Sequence, residues 1–142
     1  VSGNAGLFSN VHDLAIFFQM MLNKGYYKGQ RIFQPETVEL FTERQNIVEG
    51  SSRCLGWDSP SGESSSGHFF SPNSYGHTGF TGTSVWIDPE KKLFGIWLTN
   101  RVHPTRKNRK LYKFRYKVYD KLQKSVNDYP LQKNPNVYRE EN

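Results

Sequence analysis

One cysteine, Cys54, is all the chain has in 142 residues, so no internal disulfide can form and no cysteine pair with metal-ligand spacing exists. The expectation for Cys54 is a small buried hydrophobe. Apolar runs are short, and none approaches the ~20 residues that a membrane-spanning helix needs. The chain opens "VSGNAGLF", with no initiator Met and no basic stretch leading into an apolar one, and so reads as a piece of something longer. Its histidines, His12, His68, His77 and His103, are scattered without an i, i+4 pair, so neither a metal nor another cofactor is expected. A Ser74, His77, Asp88 triad can be drawn on paper, but no G-x-S-x-G elbow accompanies it.

Acidic charge is scarce in one place. Residues 1–100 hold 7 bases and 9 acids, whereas residues 101–124 hold 10 bases and 1 acid, so the net charge of +6 belongs to a single segment. There Leu111, Phe114, Val118 and Leu122 recur at helical spacing, with Lys110, Lys113, Arg115, Lys117, Lys121 and Lys124 on the other face. That pattern predicts a terminal helix, from about Thr105 to Val126, docked on a core through its apolar stripe. No nucleic-acid fold signature accompanies the bases, so nucleic acid is not the expected partner.

Aromatics are plentiful, at 15% of the chain, and a domain of this length can bury about 68% of its unfolded surface, enough for a real core. "SNVHDLAIFFQMMLNKG" predicts a helix that Ser9 or Asn10 can cap, with Leu14, Phe17, Phe18, Met21 and Leu22 inward and Gly25 after its end. Pro35 opens a second helix to about Thr42, whose buried side would be Val38, Leu40 and Phe41. The Ser-rich stretch 50–74 predicts a long surface loop around "CLGW". "TSVWID" and "LFGIWLT", joined by "PEKK", predict a hairpin with Val85 and Ile87 on one face and Ser84 and Trp86 on the other. A domain over residues 1–126 is expected to be followed by an extended or disordered tail over 127–142.

Just ahead of the hairpin, "YGHTGFTGTS" sets three glycines among hydroxyl residues beside a histidine. Taken in order, "AGLFSNVHDLAIFFQMMLNKG", "GQRIFQPETVELFT", "LGWD" and "YGHTGFTGTSVWIDPEKKLFGIWLTNRVHP" resemble the C-terminal portion of the serine β-lactamase and penicillin-binding-protein-like family, nearest its class C and esterase branch. The resemblance implies an α/β sandwich, an antiparallel sheet packed with helices, of which this chain holds the later part. It implies hydrolysis of an amide or ester through an acyl-enzyme, in a small-molecule or peptide substrate, and a periplasmic, cell-envelope or secreted setting.

In that family a Ser-x-x-Lys nucleophile faces a Lys-Thr-Gly triplet on a strand. His77, Thr78 and Gly79 stand where the triplet does, with His in place of Lys. The resemblance then gives the Phe80 N–H as an oxyanion donor, Thr78, Gly79 and Thr81 as substrate-binding, with Thr81 in the turn, and His77 as the residue that orients the base. No serine here has a lysine three positions on. Ser71-Pro72-Asn73 spells the family's second element, Ser-x-Asn, but in the family that element precedes the first helix. The nucleophile is thus expected from an upstream half of the same fold, which is the implied partner. Without it, exposed sheet surface could drive homodimerisation, and a non-catalytic docking module is the alternative reading.

Overall fold

The computed structural model describes residues 6–140, so the first five residues of the expected 1–126 domain and the last two of the 127–142 tail lie outside the described residues. Helix α1 spans Val11–Leu22, and the Asn10 side chain caps it, its Oδ1 accepting from the N–H groups of His12 (2.9 Å) and Asp13 (3.0 Å). A two-residue hairpin, β1 (Tyr26–Tyr27) and β2 (Gln30–Arg31), leads to α2, Pro35–Thr42. The three-stranded antiparallel sheet follows, with β3 (Tyr75–Thr78), β4 (Ser84–Asp88) and β5 (Leu93–Trp97) in the order β3-β4-β5. Helix α3, Lys110–Lys124, closes the regular structure.

The sheet is the middle of three layers. Because side chains alternate along a strand, the pairings Tyr75↔Ile87↔Phe94 and His77↔Val85↔Ile96 put these residues on one face, and Gly76↔Trp86↔Gly95 on the other. On the first face Tyr75 and Ile87 pack with Phe18, Met20 and Met21 of α1 and Val38 of α2. On the second, Trp86 packs with Phe70 and with Tyr119 of α3. Gly95 lets α3 approach, since a Cβ there would lie 2.6 Å from Leu122 Cδ2.

Three expectations need correction. In α2 only Val38 is buried, while Leu40 and Phe41 are exposed, because the helix crosses the first core at one turn only. Helix α3 starts at Lys110, not Thr105, and its inward face is Arg115, Tyr116, Tyr119 and Gln123. Phe114 and Val118 of the expected stripe are exposed, and Leu122 alone joins the second core. The tyrosines prevail because each has a large ring to bury and a polar end to satisfy: the Tyr119 hydroxyl sits 2.8 Å from Ser84 Oγ.

Residues 66–71 are buried, not a surface loop. Phe70 enters the second core, Ser71 N–H and Oγ–H each donate to Asp88 Oδ2 at 2.9 Å, and His68 Nδ1 lies 2.8 Å from Asp120 Oδ2. The segment 127–140 runs back over this stretch: Asn134 N–H donates to His68 O (2.7 Å), its Nδ2 donates to Phe70 O (2.8 Å), and Val137 bridges Gly62. Cys54 is free and buried, and burial pushes its thiol pKa up.

Burial holds the Tyr119 phenol neutral, its pKa pushed up to about 12 against the smaller opposing pulls of the Ser84 hydrogen bond and Arg115. Tyr75 is raised by burial in the same sense. Unfolded tyrosine ionises near pH 10, so the contribution of these groups to stability is complete below about pH 10 and is lost as pH rises through the folded values. The urea midpoint should therefore fall steeply between about pH 10 and 12, and Tyr119→Phe should flatten that slope; equal slopes for both proteins would refute the assignment.

Candidate functional site

Where β3 ends, the chain makes a tight turn through Gly79–Thr83 into β4. The Gly79 N–H donates to Thr83 O (2.7 Å) and the Gly82 N–H to Gly79 O (3.0 Å). Gly82 takes φ +112°, a conformation L side chains rarely adopt. Two guanidinium-bearing residues brace the turn from behind. The Arg101 N–H donates to Thr81 O at 2.8 Å, and Arg115 Nη2 donates to Gly82 O at 3.1 Å. Arg101 also lies 4.6 Å from the Phe80 ring centroid. Burial lowers the Arg115 pKa, opposed by Tyr119 and Tyr112 and reinforced by Arg101, yet the guanidinium stays charged at neutral pH.

One edge of β3 is taken by β4. On the other, the segment around Asp58 pairs only with Gly76: the Asp58 N–H donates to Gly76 O (2.8 Å) and the Gly76 N–H to Asp58 O (2.9 Å). Backbone groups of alternate residues point to the same edge, so Thr78 turns its N–H and C=O to the outer side beyond the place where pairing stops. Among the described residues no acceptor meets the Phe80 N–H. The result is a short open edge, with His77 and Phe80 exposed and Thr78 half-buried beside it.

His77 projects from the α1 face of β3, and its Nε2 lies 3.4 Å from Arg53 Nη1. A guanidinium can only donate, so this contact is a hydrogen bond in the tautomer that leaves His77 Nε2 as the acceptor. Arg53 is a neighbour of the candidate site that the sequence reading missed. Its 24-residue separation from His77 carries no spacing signal, and only the bridges Arg53↔Asp58 and Asp58↔Gly76 bring it to the strand.

All five residues singled out from sequence, His77, Thr78, Gly79, Phe80 and Thr81, therefore lie on one strand end and its turn. At Gly79 a Cβ would run into the Thr83 Oγ1, so a side chain there would require the Thr83 hydroxyl to turn away. The paper triad is not assembled. Asp88 is fully buried and engaged with Ser71, Ser74 is buried, and His77 faces Arg53. Ser71, of the Ser-x-Asn triplet, is likewise occupied in holding Asp88. Among the described residues no cluster of His, Cys, Asp or Glu could hold a metal ion, and no helix is long and apolar enough to cross a membrane.

A family model described as Beta-lactamase matches residues 2–119. Among curated proteins, an N-acetylmuramyl-L-alanine amidase of Bacillus subtilis (strain 168) is 46% identical over 106 residues, covering 72% of this chain and 24% of that protein. A putative D-alanyl-D-alanine carboxypeptidase of Salmonella gallinarum is 43% identical over 106 residues, again 72% of this chain and 24% of the relative. The chain thus spans about a quarter of the length of the curated relatives it matches.

Proposed function

The chain belongs to the Beta-lactamase family, and from that premise we propose that it forms the substrate-facing wall of a serine hydrolase that cleaves an amide or ester through an acyl-enzyme. The observation that carries the reading is the open edge of β3, where the unengaged Phe80 N–H stands beside Thr78 and His77. An extended substrate can pair with the Thr78 backbone there, which sets its carbonyl near the Phe80 N–H.

No Ser-x-x-Lys occurs here, so the nucleophile is supplied by chain outside these residues, the other part of the same fold. Its hydroxyl oxygen bonds to the substrate carbonyl carbon as the proton passes to a base, and the π electrons move onto the carbonyl oxygen. The Phe80 N–H donates to that oxyanion. Collapse re-forms the carbonyl and breaks the C–N or C–O bond, and the leaving group departs with the proton. Water then adds to the acyl-serine in the same way and releases the acid. Thr78 holds substrate through its hydroxyl and backbone, Gly79 and Thr81 shape the turn that aims Phe80, and His77 orients the base.

The names of the relatives, an N-acetylmuramyl-L-alanine amidase and a D-alanyl-D-alanine carboxypeptidase, support an alanine-containing amide as the substrate and a cell-envelope, periplasmic or secreted setting. The 142-residue chain alone should hydrolyse neither nitrocefin nor p-nitrophenyl acetate above buffer. The intact protein that bears it should do so, and His77→Ala should lower its kcat/KM about tenfold to hundredfold. Turnover by the isolated chain that disappears with His77→Ala would defeat the placement of the nucleophile elsewhere. An intact protein indifferent to His77→Ala would remove His77 from the site.

A further inference from the structure

We propose that Arg101 is a positioning residue of this site, whose guanidinium holds the Phe80 ring from behind the turn and so keeps the Phe80 N–H aimed at the substrate carbonyl; the inference rests on the acyl-transfer reading of the β3 edge. Two demands meet at Phe80. A donor to an oxyanion works by being fixed before the charge develops, yet its N–H must stay unbonded until then. Among the described residues neither the N–H nor the C=O of Phe80 enters a backbone hydrogen bond, and the side chain is 66% exposed. Neither a strand ladder nor the core holds this residue.

A grip on the side chain satisfies both demands, and Arg101 supplies one. Its Cζ lies 4.6 Å from the Phe80 ring centroid and 5.3 Å from that of Tyr112, so the guanidinium links a ring of the turn to a ring of α3. A guanidinium packs against aromatic faces while its fork stays free to donate. Here Nη1 donates to Arg106 O at 3.0 Å, and the residue is only 8% exposed. The surface on which the Phe80 ring rests is therefore itself fixed. Arg115, which bonds Gly82 O, stands 5.7 Å from the same Tyr112 ring.

Stability alone does not account for a guanidinium in this place. Arg101 enters none of the ion pairs of the described residues, and its Nε is buried with no hydrogen-bond partner among them. An apolar side chain of similar volume would fill the space without that cost. The backbone of Arg101 holds the turn independently, since its N–H donates to Thr81 O at 2.8 Å. That bond survives replacement of the side chain by any residue but proline, so a substitution reads the guanidinium alone.

The test compares Arg101→Met, Arg101→Lys, Phe80→Ala and the double variant Arg101→Met/Phe80→Ala in the intact protein, with p-nitrophenyl acetate as substrate. Arg101→Met should lower kcat about tenfold and leave KM within about twofold, because the aim of the donor matters in the transition state. Arg101→Lys should recover part of the loss, since an ammonium still attracts the ring face but lacks the planar fork. Phe80→Ala should lower kcat by a similar factor, and the double variant by no more than either single one, since Arg101 acts through the ring. In the 142-residue chain, 15N relaxation should give the Phe80 amide an order parameter of about 0.85 that falls toward about 0.6 in Arg101→Met, with the Tyr75 and Trp86 amides unchanged. Losses that multiply in the double variant, a loss carried by KM, or a Phe80 amide equally rigid in both chains would overturn the proposal. Should Arg101→Met fail to fold, Arg101→Lys carries the same comparisons. Should the intact protein hydrolyse no ester, the acyl-transfer reading fails, and the relaxation data then decide whether Arg101 still holds Phe80.

Discussion

Gly76→Ala should cost about 3–4 kcal/mol of stability, more than one methyl group ordinarily costs when forced into a packed core. The new Cβ would run into the Val85 carbonyl oxygen and lie 2.5 Å from Trp86 Cδ2. Neither neighbour can retreat. Val85 O belongs to the central strand, and Trp86, 1% exposed, is held between Phe70 and the α3 layer. The strand cannot back away either, because Gly76 is bonded to Asp58 on its outer edge. Since a domain of this size is stable by only about 5–15 kcal/mol, the urea midpoint should fall by a large fraction, or the chain should fail to fold. Trp86→Leu in the same chain should recover part of the loss by vacating the space, a positive coupling in a double-mutant cycle. Additive effects would mean that the Trp86 ring is not what excludes the methyl group.

Asp88→Ala should cost about 3–5 kcal/mol, the range for leaving a buried charge without its partner. Asp88 is 0% exposed. Its carboxylate accepts from Ser71 N–H and Oγ–H at 2.9 Å each and from Lys91 N–H at 3.1 Å, and it stands 3.7 Å from Lys91 Nζ. Alanine would strand three donors and an ammonium whose other contacts, Phe69 O and Gln123 Oε1, are uncharged. Asp88→Ala/Lys91→Met should be more stable than Asp88→Ala, because it removes the unpaired charge as well. If the double substitution is the less stable of the two, the ammonium does not depend on Asp88. The loss should also loosen residues 66–71, which Ser71 ties to the sheet, and hydrogen exchange would locate that opening.

The starts of α1 and α2 were legible because Asn10 and Pro35 act on their own neighbours, through a cap and a missing N–H. The hairpin was legible because Val85 and Ile87 alternate with Ser84 and Trp86, and a period of two needs no distant partner. The stretch 66–71 looked like loop because its order comes from Asp88, Asp120 and Asn134, at separations of 17, 52 and 64 residues. On α3 the aliphatic stripe and the tyrosine stripe have the same period, and only a sheet that offers Ser84 to Tyr119 decides between them. The turn residues from His77 to Thr81 could be singled out since they are contiguous and carry the family resemblance, whereas Arg53 reaches them only through two bridges.

Strand β4 belongs to both apolar layers, sending Ile87 to one and Trp86 to the other from adjacent residues. Peeling away either layer exposes the strand on which the other rests, and α3 also holds the turn at Gly79–Thr83 through the bond from Arg115 to Gly82 O. The chain should therefore melt as one cooperative unit, with a calorimetric enthalpy equal to its van't Hoff value, so that the β3 edge and its turn cannot be lost piecemeal while the rest of the domain persists.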